Sequence, residues 1–137
     1  LGIDVQRGHF WAVVRRWSRT GSSRLMAFEK IETWSGLDDL AKKHGVHKAL
    51  VMVDSGDNTQ VVYAECCRRG WKATKGSGSE DFAVTSSNGQ TTRRFYSDPQ
   101  AIIVPGQPTR VSLIVFSAMA AKRVSRASRS SDEPDLT

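Results

Sequence analysis

Residues 48–56 read KALVMVDSG: five apolar residues, Ala49 to Val53, run into Asp54 and then a Ser-Gly turn. A short apolar run bounded by turn residues has the pattern of a buried strand. A carboxylate at its end is desolvated unless something positive meets it. Residues 1–6, LGIDVQ, repeat the arrangement, with Asp4 closing the run Leu1, Gly2, Ile3. The fold has to account for an acid at the end of each of these strands.

The sequence between them alternates clearly. Residues 7–18 (RGHFWAVVRRWS) and 23–32 (SRLMAFEKIE) are strand-like runs joined by the polar, glycine-containing turn RTGSS, which suits a hairpin. In residues 33–45 (TWSGLDDLAKKHG), Leu37, Leu40 and Ala41 fall on one helical face and Gly45 gives a stop signal. The strand at 48–56 is the most apolar in the chain and is expected to be central and buried on both faces. Residues 58–70 (NTQVVYAECCRRG) read as a helix capped by Asn58, with Val62 and Cys66 on one face and Gly70 ending it. A short strand, WKATKG, follows at 71–76. Residues 76–110 are rich in Gly, Ser, Thr and Pro and read as a loop with one strand at 101–104, the stretch 76–94 being the least ordered of the interior. The run from Val111 begins like a strand and continues like a helix.

A chain of 137 residues with a net charge of +6 reads as one α/β domain with a polyanionic partner, nucleic acid foremost. The domain is expected over 1–130, with 131–137 a tail or linker. Lys122, Arg123, Arg126 and Arg129 form a basic run ahead of Asp132, Glu133 and Asp135. No apolar run is long enough to cross a membrane, and the first residues lack the layout of a signal peptide. The opening on Leu1, directly inside a strand, suggests a piece of a longer protein with domains upstream. Cys66 and Cys67 are adjacent, a spacing that suits neither a disulfide nor zinc, and His9, His44 and His47 have no partner at metal-ligand spacing. No Walker A pattern is present, because KGSGSE lacks the closing Lys-Ser/Thr.

The order β-β-β-α-β-α-β, with three antiparallel strands leading into a parallel one, is that of the ribonuclease H-like fold. There the fourth strand lies beside the first, which would bring Asp4 and Asp54 together. Paired carboxylates repel each other, and a divalent cation relieves the repulsion. Mg²⁺ or Mn²⁺, with oxygen ligands and retained waters, suits attack on a phosphodiester. Asp57 fits a helix N-terminal acid better than a helper ligand. Arg15, Arg16 and Arg19, interleaved with Trp11 and Trp17, are candidates for a DNA track, and Lys75 for a phosphate contact. Glu80 and Asp81 lie in a segment that could act as a DNA-contacting flap.

Over residues 1–76, LGIDVQ, VMVDSGDNTQVVYAECCRRG and WKATKG resemble successive motifs of the nuclease domain in large terminase subunits of tailed bacteriophages, the lambda-like group in particular. The resemblance matches Asp4, Asp54, the run Thr59, Gln60, Val62 and Tyr63, and Lys75 with Gly76. It implies a metal-dependent endonuclease that cuts concatemeric double-stranded DNA with low sequence specificity, using Mg²⁺ or Mn²⁺ in a two-metal site. The implied partners are an ATPase domain of the same full-length chain, the portal and the small terminase subunit, in the host cytoplasm. It also implies a third acidic ligand on a late helix. None is evident here, and that ligand is expected beyond Thr137 or lost. The competing readings are a resolvase- or transposase-like nuclease, a non-catalytic DNA-binding or motor-docking module, and a sugar-kinase or actin-like half-domain. The last should carry a glycine-rich phosphate loop in its first hairpin, for which RTGSS is a poor match.

Overall fold

The computed structural model describes residues 1–123. The boundary expected at 130, Arg126, Arg129 and the acids Asp132, Glu133 and Asp135 lie outside the described residues.

The opening strands β1 (Gly2–Gln6), β2 (His9–Trp17) and β3 (Ser23–Ile31) form an antiparallel meander. Helix α1 (Trp34–Lys43) follows, its Thr33 hydroxyl accepting from the Gly36 amide at 3.0 Å. Then come β4 (Met52–Asp54), α2 (Thr59–Arg69) and β5 (Lys72–Ser77). Beyond them lie the hairpin β6 (Phe82–Thr85) and β7 (Thr91–Arg94), then β8 (Gln100–Ile102) and β9 (Val111–Ser117). Seven strands make one mixed sheet in the order β3-β2-β1-β4-β5-β9-β8, in which β1, β4, β5 and β9 run parallel. Residues 118–123 are helical, as the change of pattern after β9 predicts. No helix among the described residues is long and apolar enough to cross a membrane.

The core occupies one face of this sheet. Ile3 pairs with Ala12 and Val53, Val53 with Ala73, and Ala73 with Leu113, so these residues share one phase of the pleat. All are buried, together with Leu37 and Leu40 of α1 and Val62, Tyr63 and Cys66 of α2. Arg69 ties the two helices together. Its guanidinium donates to both Asp38 carboxylate oxygens, at 2.8 and 3.1 Å, and pairs with Glu65, while lying over the rings of Trp34 and Trp71. The Asp38 hydrogen bond is the largest reason why its pKa is raised above the ordinary arginine value.

Four expectations need correction. The strand expected over 48–56 is only three residues long, because Lys48–Leu50 forms a 3₁₀ turn that delivers the chain to β4. β4 is not buried on both faces: Val53 is fully buried, but Met52 remains 39% exposed, since the described helices α1 and α2 both pack on the other side. Asn58 stands at the start of α2 without a side-chain cap bond, its backbone left-handed at φ 53°. Gly70 ends that helix in the left-handed conformation expected of it. Residues 76–110 are not a loop with a single strand. They hold the end of β5, a two-stranded hairpin outside the main sheet, and β8, which falls close to the strand expected at 101–104. The hairpin is bonded and yet no residue of it is buried; Asp81 is ion-paired with Arg93 and so is engaged within it.

Candidate functional site

β1 and β4 run side by side in parallel, with Gly2 opposite Met52 and Ile3 opposite Val53. Asp4 and Asp54 are the next residues on each strand, just past the last paired residues of that ladder. They stand on the same face, the one opposite the core, because Ile3 and Val53 between them point into it. Adjacent parallel strands thus carry the acid pair, but only Asp54 ends its strand, as expected; Asp4 is the middle residue of β1, because Val5 and Gln6 extend the pairing with β2 beyond it. The flanking ladders add Trp11 opposite Asp4 and Thr74 opposite Asp54.

The surroundings differ from those of a desolvated pair. Asp4 is exposed and Asp54 half-buried, and neither α1 nor α2 covers this face. Asp4 Oδ2 accepts from Gln6 Nε2 at 2.8 Å, and Asp54 Oδ1 accepts from the Gly56 amide at 3.0 Å. These bonds orient the carboxylates and leave one oxygen of each without a hydrogen bond among the described residues. Neither acid forms an ion pair with a described residue. A Cβ at position 56 would lie 3.4 Å from Asp54 Oδ1, so glycine there lets the turn close over the acid.

By donor chemistry, two hard carboxylates on neighbouring strands are of the kind that Mg²⁺ or Mn²⁺ would take, with the rest of its coordination left to other oxygen ligands. Among the described residues, no cluster of three or more His, Cys, Asp or Glu side chains could complete an all-protein cage. Asp57 lies in the turn before α2, and Glu80 is exposed ahead of the hairpin.

The basic candidates separate. Lys75 follows Thr74 on β5, so the pleat directs it to the face opposite Asp54. Arg15 and Arg16 lie toward the far end of β2 from Asp4, and Arg19 sits in the β2–β3 turn.

Two connected grooves adjoin the uncovered face; the first lies on it, and the second passes over the end of the sheet to α1, so that Arg15 reaches it from the face of Trp11 and Trp17 and Arg16 from the other. One, of about 590 Å³, borders Asp4 and is lined by Gly2, Trp11, Val13, Phe28, Met52, Thr74 and Phe116. It shares Gly2, Val13 and Met52 with a second, of about 920 Å³, that reaches Arg15, Arg16, Trp17, Lys43, His44 and His47. Sequence reasoning does not mark Phe28 or Phe116. Their pairing partners, Val13 and Gly76, carry the signal only once the register is known.

Cys66 and Cys67 are free thiols. Burial, the largest influence, pushes the Cys66 thiol up to about 12, which keeps it protonated and unreactive at neutral pH. Comparison with family models, with curated proteins and with solved structures finds no match to this chain.

Proposed function

We propose that this chain is a divalent-metal-dependent endodeoxyribonuclease domain of ribonuclease H-like fold, belonging to a viral DNA-packaging motor. The observation that carries the proposal is the acid pair: Asp4 in β1 and Asp54 at the end of β4, on adjacent parallel strands and on one phase of the pleat, neither ion-paired with a described residue. The sheet order β3-β2-β1-β4-β5, antiparallel and then parallel, supports the fold. The net charge of +6 supports a nucleic-acid substrate.

When bound, Mg²⁺ or Mn²⁺ supplies a more acidic water and stabilises charge on a phosphodiester oxygen. The chain's own part is to hold and aim the carboxylates. Gln6 and the Gly56 amide fix one oxygen of each acid and leave the other without a hydrogen bond among the described residues. Affinity for double-stranded DNA comes from cations and backbone contacts, so sequence specificity is low. On this reading the partners are an ATPase domain in the full-length protein, the portal and the small terminase subunit, in the host cytoplasm.

A second reading is favoured by the small donor set. A non-catalytic DNA-binding or motor-docking module needs no third ligand, and none completes a cluster among the described residues.

Metal binding tests the first reading. Mn²⁺ at about a hundred times its Kd should stabilise the protein by ~2.7 kcal/mol. Asp4→Asn and Asp54→Asn should each abolish that rise in Tm while folding normally without metal. Equal stabilisation of wild type and both variants would move the ion elsewhere and leave the second reading standing.

A further inference from the structure

The two connected grooves differ in charge along their length. At one end is Asp4, with Asp54 on the neighbouring strand beyond the lining. At the other, Arg15, Arg16 and Lys43 gather with His44 and His47, and no described carboxylate lines that stretch. None of the three longer cations is ion-paired with a described residue. The floor between the ends is apolar and partly aromatic. Trp11 and Phe28 stack at 5.4 Å with ring planes 7° apart, and Phe28 is still 61% exposed. Trp17, beside the cations, is 65% exposed. Trp11 and Trp17 lie six residues apart on β2, about 20 Å at the usual strand rise.

An apolar floor with open ring faces has little to offer a sugar-phosphate backbone. It suits unstacked bases, while cations at one end take phosphates. A duplex keeps its base faces hidden and presents phosphates and groove edges instead. A lipid or an apolar peptide would satisfy the floor and leave the cations without counter-charges.

We propose that these connected grooves bind an unpaired polynucleotide strand, its bases against the Trp11–Phe28 stack and Trp17 on the open face and its phosphates on Arg15 and, over the end of the sheet, on Arg16 and Lys43. The site thereby feeds a locally opened strand, and not an intact duplex, toward the acid pair. This orientation rests on the nuclease reading, whereas the binding itself does not.

The test is fluorescence anisotropy with a short labelled oligothymidylate and with a hairpin duplex of the same length, in EDTA so that no metal contributes. The single strand should bind more tightly than the duplex. Trp17→Ala should weaken single-strand binding at least about fivefold, the scale of one lost base stack, with Trp17→Phe recovering most of it. The double variant Arg15→Ala/Arg16→Ala should make the salt dependence shallower by about 0.7 for each phosphate that is no longer neutralised. Trp17 is exposed, so its replacement should leave Tm unchanged and loss of fold cannot mimic the result. Tighter duplex binding, no binding, or single-strand binding indifferent to these variants would overturn the inference, as would a self-associated protein whose copies bury Trp17. The nuclease reading fails separately. If Asp4→Asn and Asp54→Asn cut as wild type does while strand binding persists, the site assignment is wrong and the groove survives; if cutting depends on both acids but Trp17→Ala changes nothing, only the groove is lost.

Discussion

The two faces of the central sheet come from the same strands and differ by one residue in phase. On the covered face Val53 and Ala73 are fully buried and Ile3 and Leu113 nearly so, and they meet two helices. On the open face, one residue along, stand Met52, Thr74, Asp4 and Phe116, with aromatic rings and the Asp4 carboxylate facing the groove. The first set holds the fold together; the second leaves polar and aromatic groups free for a ligand. Along each strand the pleat therefore separates stability from candidate chemistry, and a substitution shifted by one residue should change which property is lost.

The largest effect expected of that division is in the core. Leu37→Ala removes a fully buried side chain beneath the sheet and should cost ~2–5 kcal/mol. Phe28→Ala on the open face removes a stacked but exposed ring and should cost no more than about 1.5 kcal/mol. Urea denaturation of both variants checks this, and equal losses would mean that the open face is covered in solution.

A smaller effect sharpens the contrast through pH. The Cys66 thiol on the covered side keeps its proton up to about 12 when folded, whereas the ordinary thiol value is 9.0. Between those values the folded state holds a proton that the unfolded state has lost. The stabilisation is therefore complete below pH 9 and falls as pH rises, by at most about 1.4 kcal/mol per pH unit. Cys66→Ala should flatten that part of the alkaline stability profile relative to wild type. Parallel profiles would show that the thiol is solvated in the folded protein.

The same division explains what is legible in the sequence. The covered face announces itself: Leu37, Leu40 and Ala41 recur at helical spacing, the β2 residues alternate, and Gly70 stops α2 as its type demands. The acid pair is legible too, because Asp4 and Asp54 end runs whose order puts their strands together. The open face is not. Its exposure depends on which helices cover the sheet, and no local pattern at Met52 states that α1 and α2 both lie on the other side. The β6–β7 hairpin escapes because Thr91–Arg94 is polar and exposed, so burial imposes no alternation on it. Its Asn88-Gly89 dipeptide, with Gly89 at φ +81°, is the available signal. The length of β4 is overstated by its sequence for a related reason, since Ala49 and Leu50 are as apolar as strand residues but belong to a 3₁₀ turn.

The most direct test of the central claim is plasmid relaxation by wild type, Asp4→Asn and Asp54→Asn, each with Mn²⁺, with Mg²⁺ and with EDTA. Mn²⁺ should support sequence-independent nicking by the wild type, more strongly than Mg²⁺, whose stricter octahedral geometry is harder for two carboxylates to satisfy. Both variants should lose the cutting and keep salt-sensitive DNA binding. Nicking that persists in both variants, or that proceeds in EDTA, would contradict the assignment of Asp4 and Asp54 as the metal-holding pair.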